Sequence, residues 1–510
     1  MTSFLEAGID PALAKLADAI IIPPFSGVEP PRWILEALGR GLAGVTLFGT
    51  NVLGDTSALT SSLRSACADM EPVIAIDEEG GDVTRVAYAD GSPYPGNAAL
   101  GAVDDVALTR SVYAAIGRDL ALLGINLNLA PCADVLGDGD SPAVGTRSFG
   151  AATEVVARHT AAAVFGLQGT GVAACAKHFP GHGSTGTDSH HAIATIAGSL
   201  DDVWRRDLPP FSAAINAGAA AVMPGHLRVP ELTGDRPATL SAAAITGLLR
   251  GELGFTGVVI SDALEMKATS AVFGIPGAAA LAVAAGVDLL CLGRDTGFEV
   301  YRAVRAALVS AVASGSLPGS RLEEAAARVS ALRTGLLASV RVRAGRHDPL
   351  SVSNGIGLVA ARRALRLSGS RPEESSLPAA NPLIIEVEPR ENIAAGEFAW
   401  GLGPWAPVRR VDVDDLDVAE ILAAAAGRSL IVVVRDAVHA KAMLGELLAA
   451  RPDAILVEMG VPLWTPPAGT SYLATYGASR ASAQAAAEIL GLVLFRVTPV
   501  WRWREPLVAG

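Results

Sequence analysis

Val172-Ala173-Ala174-Cys175-Ala176-Lys177-His178-Phe179 opens as an unbroken apolar run, ends in a lysine and a histidine, and passes into Pro180-Gly181-His182-Gly183. A strand that is apolar at successive positions is covered on both faces, the usual condition of a parallel sheet. The pattern recurs along the first two thirds of the chain, at residues 18–23, 44–48, 72–77, 125–131, 221–226, 257–262 and 287–293. Ala-rich amphipathic stretches separate these runs, among them 103–123, 151–168 and 201–217. Asp104, Thr153 and Ser199 stand where N-caps are expected, and Gly124, Gly169 and Gly218 where left-handed caps would end helices. Strands and helices alternating in this way predict a (β/α)8 TIM-type barrel, whose chemistry belongs at the C-terminal ends of the strands. No G-x-G-x-x-G follows the first strand, so a dinucleotide-binding sheet is the poorer reading.

The catalytic barrel is expected over residues 1–340 and a linker with a short helix over 341–380. A smaller α/β sandwich domain, structural in role, is expected over 381–510. Its strand candidates are 382–387, 429–435, 454–459 and 471–476, and its helices 418–426, 440–450 and 481–490.

Composition narrows the function classes. The 510 residues are 50% hydrophobic with few aromatics, as in a soluble α/β protein. A formal net charge of −12 argues against a nucleic-acid partner and against an anionic membrane surface. Cys67, Cys132, Cys175 and Cys291 form no C-x-x-C pair, so reduced thiols are expected rather than a disulfide framework or a zinc site. The apolar stretch 275–293 is broken by Pro276, Gly286 and Asp288, which suits helix, turn and strand better than a membrane span. Met1-Thr2-Ser3-Phe4-Leu5-Glu6 lacks the basic start of a secretory signal, and the cytoplasm is the expected location.

Polar residues gather where the barrel strands end. The third strand ends in Asp77-Glu78-Glu79-Gly80-Gly81, the fifth in Lys177-His178, the sixth at His226 and the seventh in Ser261-Asp262. A single charge after an apolar strand is usually an ion pair or a cap, whereas several on one rim make a binding site. Lys177-His178-Phe179-Pro180-Gly181-His182-Gly183 followed by Asp188-Ser189-His190, together with Ser261-Asp262-Ala263-Leu264-Glu265-Met266, resembles the signature of glycoside hydrolase family 3. More narrowly it resembles that family's bacterial β-N-acetylglucosaminidase branch. Asp77-Glu78-Glu79-Gly80-Gly81 and Gly145-Thr146-Arg147-Ser148-Phe149-Gly150 match two further motifs in the same order.

The resemblance implies roles. Asp262 is the implied nucleophile of a retaining double displacement, which needs an ionised carboxylate under the anomeric carbon. Taken alone, Asp262 is equally fit to cap a helix beginning near Leu264. His190 is the implied acid/base and Asp188 its partner, in a loop rich in Gly, Ser and Thr; a lone loop histidine is more often solvated surface. Asp77, Arg85, Arg147, Lys177 and His178 are the implied sugar-binding residues, with internal salt bridges as the rival reading of both arginines. His226 reads as orienting the neighbouring motif, and His182 as an inward structural residue. The implied substrate is a small carbohydrate ending in β-linked N-acetylglucosamine, drawn from cell-wall fragments or chitooligosaccharides, with no metal or organic cofactor. Phosphate replacing water as acceptor is one alternative. A family 3 β-glucosidase using Glu458 as acid/base is a second, and a catalytically dead sugar-binding protein a third. Two departures stand out. The family usually has an amide at the position of Glu78 and often a basic residue at that of Asp82, so both add negative charge that would disfavour an anionic group on any surface they face.

Overall fold

The computed structural model describes residues 10–67, 70–137, 141, 143–185, 193–196, 198–294, 296–344, 355–369, 381–389, 395–396, 398–415 and 417–493. The chain divides into two compact units. One comprises Met1–Glu79, Val106–Val144 and Ser148–Asn354, the other Gly80–Asp105, Gly145–Arg147 and Gly355–Gly510.

The first unit is a (β/α)8 barrel. Its strands are β1 (Ile21–Ile22), β2 (Gly44–Leu47), β3 (Val73–Ile76), β4 (Leu127–Asn128), β5 (Ala173–Phe179), β6 (Ala221–Pro224), β7 (Val258–Val259) and β8 (Leu290–Cys291). All of these strand residues are buried, which is why they read as continuous apolar runs. β2 to β7 pair in sequence order, all parallel. A parallel bridge between Ile260 and Leu289 joins β7 to β8, and β8 pairs with β1. The Thr46 N–H donates to the Pro23 carbonyl at 3.2 Å, and this bond between the β1 and β2 segments closes the ring. The helical segments Arg32–Arg40, Thr56–Ser65, Val106–Leu122, Thr153–Gln168, Leu208–Asn216, Ala243–Glu252, Lys267–Ala285 and Phe298–Ala313 follow the strands in turn. Before β8, the buried Asp288 accepts the Val259 N–H (2.9 Å) and meets Arg250 and Arg321 (both 2.5 Å) and Arg328 (3.3 Å). One carboxylate thus ties the seventh strand to its surrounding helices.

Ser199 caps its helix as expected: its side chain accepts the Asp202 N–H, and Asp202 returns a bond to Ser199. Asp104 does not. It ends the helix Asn97–Val103 in a left-handed conformation (φ 54°), a helix whose short apolar sequence gives little periodicity to read. Thr153 is already helical, with Ala152 at the cap. Gly124 and Gly218 take the expected positive φ of 78°, whereas Gly169 stays right-handed. The helix Lys267–Ala285 is, among the described residues, long and apolar enough to cross a membrane. It breaks at Gly274 (φ 62°), carries Pro276 and lies between β7 and β8 in chain order.

The second unit holds a six-stranded sheet of β9 (Arg366–Ser368), β10 (Leu383–Glu388), β11 (Arg409–Asp412), β12 (Leu430–Val434), β13 (Ile455–Glu458) and β14 (Ser471–Ala474). The spatial order is β9-β14-β13-β12-β10-β11, parallel except for β9. Alternate side chains feed two cores. Ile384, Ile431, Val433, Val457 and Leu473 pack on one face, and Leu383, Ile385, Val432 and Leu456 on the other. The edge strands β9 and β11 are absent from the sequence reading because Arg366, Ser368, Arg409, Arg410 and Asp412 face solvent and leave no apolar run.

Asp82 is a hub inside this unit. Its Oδ1 accepts the Ala478 N–H (2.8 Å), and its Oδ2 accepts from Thr146 Oγ1 (2.9 Å) and Arg435 Nη2 (3.1 Å). The Arg435 guanidinium lies over the rings of Phe398 (4.8 Å) and Trp400 (5.5 Å). The negative charge that Asp82 adds is therefore paired within the second unit. Arg435→Ala should lower the unfolding free energy by about 3–5 kcal/mol, because it strands a buried carboxylate. Urea unfolding of the full chain measures this. A loss below about 1 kcal/mol would mean that the pair behaves as a solvated surface bridge.

Candidate active site

At the C-terminal rim of the barrel, Lys177 on β5 reaches across to the end of β3. Its Nζ lies 2.5 Å from Asp77 Oδ1 and 2.8 Å from Glu79 Oε1. The Lys177 and Glu79 side chains are 3% and 2% exposed, Asp77 23%, so Asp77 is the member open to a ligand. Two carboxylates share one ammonium, and the more exposed of them, Asp77, offers an acceptor to hydroxyl donors. Asn128 on β4 fixes the turn that carries them, accepting the Glu78 N–H (3.0 Å) and donating to the Glu78 carbonyl (2.8 Å).

The next residue on β5 is governed by Asp134. His178 Nδ1 donates to Asp134 Oδ2 at 2.7 Å, and Cys132 Sγ donates to the same oxygen at 3.0 Å. Asp134 Oδ1 accepts the N–H groups of His178 (3.1 Å) and His182 (2.7 Å). Burial pushes this carboxyl's pKa up, but His178, by charge and hydrogen bond, and then His182 and Cys132 more than reverse it and hold it well below the carboxylate range. Cys132, Asp134 and His178 present a metal-type donor set within 4.8 Å. Yet ligand atoms on a tetrahedral zinc sit roughly 3.3–3.5 Å apart, given bond lengths of about 2.0–2.3 Å. The observed separations are those of hydrogen bonds, and the set as built is a hydrogen-bond hub.

Pro180-Gly181-His182-Gly183 makes the turn after β5 with no room for side chains at either glycine. A Cβ on Gly183 would fall 2.0 Å from the Val135 carbonyl oxygen, and one on Gly181 2.6 Å from the Asp207 Cβ. Asp207 is buried under this turn. Burial raises its pKa to about 6, against hydrogen bonds from Arg206 that lower it, while the charge of Asp134 raises it further.

Asp262 follows β7. Ser261 anchors it, accepting the Cys291 N–H (2.9 Å) and donating its own N–H to Leu289 (2.9 Å). The half-buried Asp262 carboxylate accepts the Ala263 N–H at 2.8 Å. The helix beyond begins only at Lys267 with Met266 at its cap, so Asp262 is not a capping residue. His226 braces the segment: Nε2–H donates to the Ala263 carbonyl (3.0 Å), and Nδ1 lies 2.9 Å from Thr239 Oγ1. Glu265 reaches the segment after β8, where its carboxylate accepts the Arg294 N–H (2.8 Å) and fills the space a side chain at Gly293 would need. Burial raises the Cys175 thiol pKa strongly, Lys177 lowers it, and the charges of Asp77 and Asp262 raise it.

Of the residues expected at the site, the barrel brings together Asp77, Lys177, His178 and Asp262. Arg85 and Arg147 belong to the other unit, where Arg85 Nη1 donates to the Ala395 carbonyl (3.2 Å) and the Arg147 carbonyl accepts from Asn97 (2.7 Å). Asp188 and His190 lie outside the described residues. Sequence reasoning missed Glu79 and Asp134. The signal for Asp134 was present, as a lone charge inside the apolar run 129–136 that has to be paired to be buried.

A family model described as the glycosyl hydrolase family 3 N terminal domain matches residues 34–332. The chain belongs to glycosyl hydrolase family 3. A beta-hexosaminidase of Mycobacterium tuberculosis is 37% identical over 338 residues, 64% of this chain and 84% of that protein. Beta-hexosaminidase A of Pseudoalteromonas piscicida is 33% identical over 334 residues, 60% of this chain but only 56% of the relative's length. A solved family 3 beta-N-acetylglucosaminidase from a Paenibacillus species superimposes with a TM-score of 0.83 at 32% identity, covering 95% of this chain and 98% of that one.

In this family 3 chain Glu458 is a poor acid/base. It is fully buried within the second unit, on the sheet face that Leu456 shares with the helix Lys441–Ala450. Burial raises its pKa to about 8, partly offset by the N–H groups of Gly460 and Ala437, with Asp436 raising it further. The folded pKa stands above the ordinary carboxyl value of 4.5, so the fold favours the protonated form. Stability is then fully present below about pH 4.5 and is lost as pH rises toward 8. Glu458→Gln should leave the chemical step nearly unchanged. Its stability advantage over the parent should grow between those limits by up to roughly 1.4 kcal/mol per pH unit, read by urea unfolding at stepped pH. A large loss of kcat in a folded variant would restore Glu458 as an acid/base.

Proposed function

We propose that this chain is a retaining, exo-acting β-N-acetylglucosaminidase that hydrolyses terminal β-linked N-acetylglucosamine from cell-wall fragments or chitooligosaccharides. The observation that carries the reading is Asp262. It is a carboxylate on a rigid strand end, not used as a helix cap, on the same barrel rim as the Asp77–Lys177–His178 cluster. The names of the relatives, beta-hexosaminidases and a beta-N-acetylglucosaminidase, support the choice of sugar.

In the proposed reaction an Asp262 oxygen attacks the anomeric carbon and the bond to the leaving oxygen breaks. The leaving oxygen takes a proton from His190, whose imidazolium Asp188 stabilises. A glycosyl ester on Asp262 results. Water then attacks the same carbon, His190 takes its proton, and the Asp262 carboxylate is released with N-acetylglucosamine. Asp77 accepts from a sugar hydroxyl, and Lys177 and His178 complete the polar floor. The family motif assigns Arg85 and Arg147 to the sugar as well, and the reading keeps them on the motif alone.

Asp262→Ala should abolish turnover of a chromogenic β-N-acetylglucosaminide with little loss of stability, and a slow fluorosugar should leave its adduct on Asp262. An adduct on Glu265 or Glu79 would overturn the assignment, and preference for β-glucoside would overturn the sugar. The released product should be free sugar with or without phosphate; a sugar 1-phosphate as nearly sole product would make the chain a phosphorylase. His190→Ala should lose about 10²–10⁴-fold on natural sugars, whose leaving groups need protonation, and much less on activated aryl glycosides. Equal losses on both would remove His190 from acid catalysis.

A further inference from the structure

We propose that Asp134 is a positioning residue for this reaction: its carboxylate decides which nitrogen of His178 carries the proton and holds the turn that follows β5. The inference rests on the reading above that His178 meets the sugar.

The geometry is specific. A carboxylate offers only acceptors, so a 2.7 Å contact to Oδ2 requires the proton on His178 Nδ1. In the neutral ring Nε2 is then the acceptor nitrogen. A sugar hydroxyl can donate to it, and the opposite tautomer would reverse that recognition. Asp134 also spans the turn from both ends, because Oδ1 takes the N–H groups of His178 and His182 together. The Gly181 N–H closes the same turn on the His178 carbonyl at 2.8 Å. The crowding at Gly181 and Gly183 leaves the backbone little alternative path. In sequence, Asp188 and His190 come shortly after this turn. Asp134 itself touches no solvent, so its effect on the reaction passes through His178 and the turn.

Asp134→Asn separates positioning from mere structure. The amide oxygen can still accept the two backbone N–H groups. Its NH₂ then faces His178 Nδ1, a donor against a donor, and the ring has to move its proton to Nε2. The measurements are ¹⁵N chemical shifts of the His178 ring, assigned against His178→Gln, and kinetics on an aryl β-N-acetylglucosaminide normalised to active enzyme. The expected parent ring is Nδ1–H, switching to Nε2–H in the variant, with KM raised about tenfold or more and kcat falling less. A purely structural residue would lower the melting temperature and the active fraction while leaving KM unchanged. A folded variant with unchanged KM, or one whose ring stays Nδ1–H, overturns the proposal. So does a parent ring found as Nε2–H, a measurement that needs no variant to fold. If the parent fails to turn over any β-N-acetylglucosaminide, the functional reading falls, and the ring measurement still decides whether Asp134 sets His178.

Discussion

One ammonium between two carboxylates organises the rim of this barrel. A buried charge persists only with partners close enough to replace its lost hydration, and Lys177 meets that condition through Asp77 and Glu79. The pairing is possible because the ring of parallel strands brings the C-terminal ends of β3 and β5 to the same mouth. Glu79 is buried with Lys177, while Asp77 remains reachable.

A second pair of carboxylates has divergent fates around the turn after β5. Asp134 collects donors from Cys132, His178 and His182 and is held far down the acid scale, whereas for Asp207 burial outweighs the hydrogen bonds and charge of Arg206 and its pKa rises to about 6. The number of donors aimed at a buried carboxylate decides its charge state more than the depth of burial does. Asp134 is thus a permanent anion and a geometric anchor. Asp207 titrates within the range a cell can reach.

The barrel was legible in the sequence because its eight strands are covered on both faces, so each leaves a continuous apolar run. The central strands of the second sheet were legible for the same reason. Its edge strands were not, because Arg366, Arg409 and Arg410 face water and erase the pattern. Ser199 caps its helix as its sequence suggests, whereas Asp104 reads as the cap of the following helix because the short helix Asn97–Val103 leaves little periodicity. Asp77, Lys177, His178 and Asp262 were placed by motif, and the barrel unites them. Glu79 and Asp134 escaped because their partners are distant in sequence, and only the fold says which donors surround a buried acid.

The hub at Asp82 has an evolutionary consequence. At position 82 the chain has an acid whose charge is met by Arg435 inside the second unit. Positions 82 and 435 are therefore not free to drift independently. A single substitution at either leaves one charge without its counterion, and at 435 that charge is a buried carboxylate. Reversing both charges, or neutralising both with side chains of matching shape, avoids this. Sequence change at this hub should travel by paired steps, and any lineage that loses Arg435 should shed the acid at 82 with it.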